Sequence, residues 1–255
     1  MAEKVTQVWR DGNRSSIVHD WVPEAPIALE FNGLAYAVMM TTPADLEDFV
    51  RGFAITEGLA SDASQIGEIA IAQTDKGIIA RTSLAGLGVE KLQERVRMRV
   101  AESSCGLCGV ENLEAVSKEL PKVPPHDALS YNAVFRAVGS LAARQVLNQS
   151  TGAAHAAAFA SVDGTVRSVR EDVGRHNAVD KLIGALTAEK IDPSEGFFIS
   201  TARCSYEIVE KVVKAGGVAL VTVSLPTSFA IERARKAGLS LCCLARDDSY
   251  LDLTD

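Results

Sequence analysis

The chain has 255 residues, 47% of them hydrophobic and 23% charged, with a formal net charge of −7. That length carries one large domain, or a large and a small one, around an ample core, and the charge argues against nucleic-acid binding while leaving room for a local basic pocket. No apolar run approaches the ~20 residues of a membrane helix, and Met1-Ala2-Glu3-Lys4-Val5 lacks a charged-then-apolar leader, so no membrane contact and a cytoplasmic location are expected.

Residues 1–25 carry little pattern and are expected to wrap the surface. Residues 27–31 and 34–40 flank Asn32-Gly33 and read as a hairpin with a tight turn. A helix should follow, with Thr42 as its cap, Pro43 in its first turn and Asp45 completing a capping box. Leu46, Phe49, Val50 and Phe53 fall on one face, and Gly58 ends the helix. Residues 66–72 and 78–81, around Asp75-Lys76-Gly77, read as a second hairpin, and 89–101 fit helix and strand equally.

Lys122-Val123-Pro124-Pro125 is the linker candidate, dividing the chain into domains at 1–121 and 122–255. Ser130 should cap a long helix to about Gln149, with Val134, Val138, Leu141 and Leu147 inward. Residues 153–162 and 165–169 flank Asp163-Gly164 as a third hairpin. Helices over 175–189, 205–215 and 227–237 then alternate with strands over 197–200, 218–224 and 239–245. Strands alternating with helices imply parallel pairing through right-handed crossovers, so an α/β unit follows a smaller α+β one.

Of the five cysteines, two stand close together in Ser103-Ser104-Cys105-Gly106-Leu107-Cys108-Gly109. In a reducing compartment such a pair reads as chemistry rather than as a staple: redox exchange, metal ligation or persulfide carriage. Glycines leave the sulfurs open. The helix start read at 110–116 would favour the reactive thiolate. Cys204, Cys242 and Cys243 read as buried hydrophobes.

In open α/β sheets ligands sit at the carboxyl ends of the strands, against the next helix starts. Three such junctions stand out: Glu171-Asp172-Val173-Gly174-Arg175-His176-Asn177, Ser200-Thr201-Ala202-Arg203-Cys204-Ser205, and Ser224-Leu225-Pro226-Thr227. Helix starts hold anions and arginine forks suit phosphates, which together suggest a phosphorylated or nucleotide-like ligand. Helix capping explains the same serines and threonines equally well, and an ion pair the same Arg203. His155, among small residues, reads as a hydrogen-bonded core histidine, and His19 and His126 carry no signal. No metal site is expected: a structural zinc site wants four ligands, and adjacent Cys242-Cys243 is poor spacing for a second pair.

Taken together, several stretches resemble the FdhD family of sulfur carriers required for formate dehydrogenase activity. They are Leu29-Glu30-Phe31-Asn32-Gly33, Thr42-Pro43-Ala44-Asp45-Leu46, Glu57-Gly58, Cys105-Gly106-Leu107-Cys108-Gly109, Thr151-Gly152 with His155, the run from Arg170 to Lys181, Glu207-Ile208-Val209-Glu210-Lys211 and Pro226-Thr227. The run over 170–181 is long and specific.

The resemblance implies a three-layer, cytidine-deaminase-like C-terminal domain, a smaller N-terminal α+β domain and a homodimer. It implies a sulfurtransferase in which a cysteine desulfurase delivers sulfur as a persulfide to Cys105, with Cys108 assisting or sharing it. The acceptor would be the molybdenum centre of a bis(molybdopterin guanine dinucleotide) cofactor, before its insertion into apo formate dehydrogenase. Cofactor binding would fall on Leu244, Ala245, Arg246, Asp247, Asp248 and Ser249. The competing readings are a non-enzymatic module holding zinc or an iron–sulfur cluster on the same thiols, and a dithiol oxidoreductase.

Overall fold

The computed structural model describes residues 2–88, 92–93 and 118–254. Its larger sheet has six strands in the order β12-β11-β10-β9-β7-β8: β7 (His155–Ser161), β8 (Val166–Asp172), β9 (Gly196–Ser200), β10 (Ala219–Thr222), β11 (Ser240–Cys243) and β12 (Leu251–Asp252). Strands β9, β10 and β11 are parallel, as their helical crossovers require. The β7–β8 hairpin and the short β12 run antiparallel at the two ends.

Strand alternation sends side chains to two faces. Phe198, Leu220 and Leu241 face one core with Val179, Leu182, Ile183 and Leu186 of α4 (Arg175–Glu189) and Ile208, Val209 and Val212 of α5 (Tyr206–Lys214). Ala230 and Ala234 of α6 (Ser228–Ala237) close that side. Phe197, Ile199 and Val221 face the other core with Val134, Ala137 and Leu141 of α2 (Tyr131–Leu141). Helices on both faces of a mostly parallel sheet make three layers.

The first part of the chain adds a second, four-stranded sheet in the order β4-β3-β6-β5: β3 (Ala25–Phe31), β4 (Leu34–Thr41), β5 (Ala70–Thr74) and β6 (Gly77–Thr82). Asn32 and Gly33 both take positive φ, 51° and 77°, as a tight hairpin turn demands. Asn32 also accepts from Leu84 N at 2.6 Å and donates to the Leu84 and Leu87 carbonyls, tying the hairpin to the strand exit.

Helix α1 (Leu46–Thr56) lies between this sheet and α4. Phe49 and Phe53 are buried with Phe31 on one side and the α4 side chains on the other, in a single continuous core. Each such phenylalanine contributes about 1.5–3 kcal/mol by leaving water. The helices meet backbone to backbone: a Cβ on Gly52 would stand 1.7 Å from the Asp180 carbonyl oxygen, and one on Gly184 would stand 1.8 Å from that of Asp48.

Three expectations change. Residues 1–25 include an antiparallel ribbon, β1 (Ala2–Val8) with β2 (Arg14–Asp20), whose side chains are exposed or half-buried. The long helix from Ser130 stops at Leu141 and resumes as α3 (Val146–Thr151), because Gln145 leaves helical geometry at φ −89°, ψ 69°. Thr42 does not cap α1; Asp45 stands at the cap in a left-handed conformation, and Thr42 is used elsewhere.

Candidate functional site at the carboxyl edge of the sheet

Strands β9, β10 and β11 point their carboxyl ends to one edge, where the end of β8 and the antiparallel β7's first residue also arrive. All three junctions singled out in the sequence, and the segment 244–249, therefore meet there. Cys105 and Cys108 lie outside the described residues.

At the first junction much of the motif turns inward. Asp172 is fully buried and accepts from Thr41 Oγ1, from Thr42 N at 3.0 Å, Gly174 N at 2.7 Å and Asn177 Nδ2 at 3.0 Å, and from Lys181 Nζ at 2.7 Å. Lys181 donates again to the Thr42 carbonyl at 2.9 Å, and Thr42 Oγ1 accepts from Val173 N at 3.1 Å. Asn177 donates to the Met40 carbonyl at 2.8 Å. One helical turn on, Asp180 accepts from Thr56 at 2.7 Å and from Lys211 at 2.8 and 2.9 Å, while burial pushes its pKa up against the pull of Lys211. Arg170 meets Asp48 at 2.8 Å. The run over 170–181 thus clamps α4 to the N-terminal sheet and α1.

Glu171 accepts from Leu147 N at 2.8 Å and Asn148 N at 2.9 Å, closing the start of α3. Arg175 and His176 are half-buried at the start of α4. His176 Nε2 lies 3.0 Å from Glu207 Oε2, and that contact lowers the Glu207 pKa. His155, half-buried, has its pKa lowered first by burial and then by Arg175 and His176.

At the second junction Thr201 Oγ1 accepts from Ala156 N at 2.9 Å, and Ser200 Oγ from Ala202 N at 3.2 Å. At the third, Thr227 accepts from Ala230 N at 3.2 Å and caps α6, so capping accounts for that hydroxyl. Cys204, Cys242 and Cys243 are all buried, as hydrophobes would be. Cys204 donates to Cys243, which raises the Cys204 pKa and lowers that of Cys243; burial pushes Cys242 up to about 12. His126 is spanned by the Pro124 carbonyl at 3.0 Å and Ser240 Oγ at 2.8 Å.

The segment after β11 leaves the sheet through Leu244, held at φ 50°. Ala245 N donates to the Thr222 carbonyl at 3.0 Å, and Arg246 N to that of Ser249 at 2.8 Å, folding the segment back as a turn. Ala245, Arg246, Asp247 and Asp248 then face Leu141, Gln145, Thr201 and Val223 across a groove of about 560 Å³. Leu244 and Ser249 stand at the ends of this run, outside the groove lining, and Ser249 Oγ donates to Asp248 at 2.9 Å. Arg246 donates to the Val223 carbonyl, so its fork is partly used internally. The groove is large enough for a flat heterocycle, and its two aspartates offer acceptors to ring N–H groups. Among the described residues, no group of three or more His, Cys, Asp and Glu is placed to hold a metal ion. No helix among them is long and apolar enough to cross a membrane.

A three-layer domain packed against a smaller sheet is a fold shared with a solved protein described as a formate dehydrogenase accessory protein. The chain superposes over its whole length on the crystal structure of a protein from Desulfotalea psychrophila described in those terms, with a TM-score of 0.79, 20% identity and 96% of that chain covered. Residues 22–252 match the FdhD/NarQ family, and the chain belongs to it. A relative from Variovorax paradoxus is 44% identical over 236 residues, which are 92% of this chain and 85% of the relative. One from Xanthomonas euvesicatoria is 43% identical over 237 residues, 92% of this chain and 84% of the relative. Both are named sulfur carrier protein FdhD.

Proposed function

We propose that the protein is a sulfurtransferase that carries persulfide sulfur during formate dehydrogenase maturation. Kinship with the sulfur carriers named above carries this reading, and the Cys-x-x-Cys sequence supplies the chemistry. The Cys105 thiolate attacks the outer sulfur of a cysteine desulfurase persulfide; a new S–S bond forms, and the desulfurase cysteine leaves as a thiolate. Cys108 assists or shares the sulfur. The acceptor is the molybdenum of a bis(molybdopterin guanine dinucleotide) cofactor, a substrate here, which is then inserted into apo formate dehydrogenase. The groove beside 245–248 takes a guanine-bearing end, its carboxylates accepting from the ring N–H groups, with Leu244 and Ser249 framing the segment. The protein works as a cytoplasmic homodimer.

The reading is tested by maturation. In cells lacking their own carrier, the wild-type gene restores formate dehydrogenase activity and Cys105→Ala does not, at equal protein level. Full restoration by Cys105→Ala would remove the assignment.

A further inference from the structure

Strands β1 and β2 form a ribbon on their own, and among the described residues no third strand pairs with either edge. A two-stranded ribbon by itself is marginal in water. Its turn sets the phase of the ladder: Trp9 N donates to the Asn13 carbonyl at 2.9 Å, and Gly12 N, at φ 83°, to that of Trp9 at 2.9 Å. From there the register runs without a shift, so Gln7 with Ser15, Val5 with Ile17 and Glu3 with His19 exchange the bonds inside the ribbon. Arg14, Ser16, Val18 and Asp20 therefore turn their N–H and C=O groups outward, along the free edge of β2.

The middle of that edge lacks the usual guards against pairing. It has no proline and no bulge, its centre is Ser16-Ile17-Val18, and Val18 is 72% exposed. The formal charges stand at its two ends, Arg14 and Asp20, equally far from Ile17 and opposite in sign. Neither makes an ion pair or a side-chain hydrogen bond among the described residues. Across the ribbon they face Val8 and Ala2, so β1 supplies no counter-charge. Both share the exposed face with Ser16 and Val18, while Ile17 and His19 are half-buried on the other.

We propose that the outer edge of β2 pairs antiparallel with β2 of a second copy of this chain, about a two-fold axis at Ile17. In that register Arg14 faces Asp20 of the partner subunit, and Asp20 faces Arg14 of the partner subunit, so both charges are matched twice over. Ser16 exchanges main-chain bonds with Val18 of the partner subunit, and the two ribbons become one four-stranded sheet. The axis keeps exposed face with exposed face. A second copy supplies the reversed order of charge by symmetry, which is why a copy of this chain fits better than a strand of another sequence. Strand β1 has no such register: an axis at Lys4 sets lysine on lysine, and one at Val5 or Thr6 gives Lys4 no acidic partner. The assignment deepens the homodimer of the reading above by giving it a surface, and rests on that reading only for the existence of a dimer.

The test is sedimentation of the full chain over a dilution series, with charge reversals. Arg14→Asp sets acid against acid at both ends of the ladder, and Asp20→Arg sets base against base. Each should raise the dimer dissociation constant at least about tenfold. The double variant restores both pairs with their signs exchanged, and its dissociation constant should return close to that of wild type. A second measurement uses Ile17→Cys in a background with Cys105→Ala and Cys108→Ala. A residue on the axis faces itself, so oxidised glutathione should link this variant into a covalent dimer, and should not link Val8→Cys in the same background. A dimer indifferent to both reversals, one not restored by the double variant, or an Ile17→Cys protein that does not link overturns the ladder and leaves the homodimer to another surface. A chain that is monomeric at every concentration removes the homodimer as well. Neither result touches sulfur carriage, which falls only if the protein never gains sulfane sulfur.

Discussion

Lys181 Nζ lies 2.7 Å from Asp172 Oδ2, and both side chains are completely withdrawn from solvent. The pair does more than neutralise itself. Through the Thr42 carbonyl and the Thr42 amide it fixes the entry to α1 against the start of α4. Two residues of the 170–181 run thus clamp two layers of the fold together.

Removing one member leaves a buried charge without its partner. Lys181→Met should lower unfolding free energy by about 3–5 kcal/mol. In the double variant with Asp172→Asn the loss should be smaller than the sum of the two single losses, because no uncompensated charge remains. Urea denaturation of the four proteins checks both statements.

Gly52 and Gly184 allow α1 and α4 to touch through their backbones. Alanine at either position drives a Cβ into a carbonyl, and at least about 3 kcal/mol should be lost, the upper end for overpacking. Gly139, in α2, has nothing within 4 Å of the place an added methyl would take. Gly139→Ala should therefore gain about 0.5–1 kcal/mol from reduced chain entropy and better helix propensity. Thermal melts of the three variants should move in these opposite directions.

His155 should titrate, by proton NMR, with a midpoint below the ordinary 6.5, because burial and the nearby cations disfavour its charged form. Between that midpoint and 6.5 the unfolded chain holds more protons than the folded one. The group's contribution to stability therefore rises with pH across this window and is lost as pH falls through it. Arg175→Gln should move the midpoint up, though short of the ordinary value, since burial remains.

Ala142 is exposed on the wall of the groove beside 245–248. Ala142→Trp fills that space and should weaken guanosine diphosphate binding by roughly tenfold or more, a loss above ~1.4 kcal/mol. Sulfur loading at Cys105 should be unchanged. Equilibrium dialysis and a sulfane-sulfur assay separate the two effects.

Periodicity and turn chemistry made much of the fold legible. The Asn32-Gly33 hairpin, the hairpin around Asp163-Gly164 and a helix over 175–189 stand where local pattern puts them, whereas the first strand beside Asp75-Lys76-Gly77, read at 66–72, begins only at Ala70. The ribbon of β1 and β2 was hidden because neither strand buries a full face: the half-buried positions are Val5, Gln7, Ile17 and His19, which make no apolar alternation. The break at Gln145 has no glycine or proline to announce it. At the site, strand order placed the junctions at one edge, as the α/β rhythm implies. Pattern alone did not tell which polar residues face outward. Asp172 and Lys181 look like ligand-binding residues in a one-dimensional string, and only their partners in β4 and the turn after it show them to be internal.

The central claim is persulfide carriage, and intact-protein mass spectrometry tests it most directly. Wild type and Cys105→Ala are incubated with a cysteine desulfurase and cysteine. The account predicts a mass gain of one or more sulfur atoms in wild type, reversed by reductant and absent from Cys105→Ala. Wild-type protein that gains no sulfur, or a Cys105→Ala variant that gains as much, would contradict it.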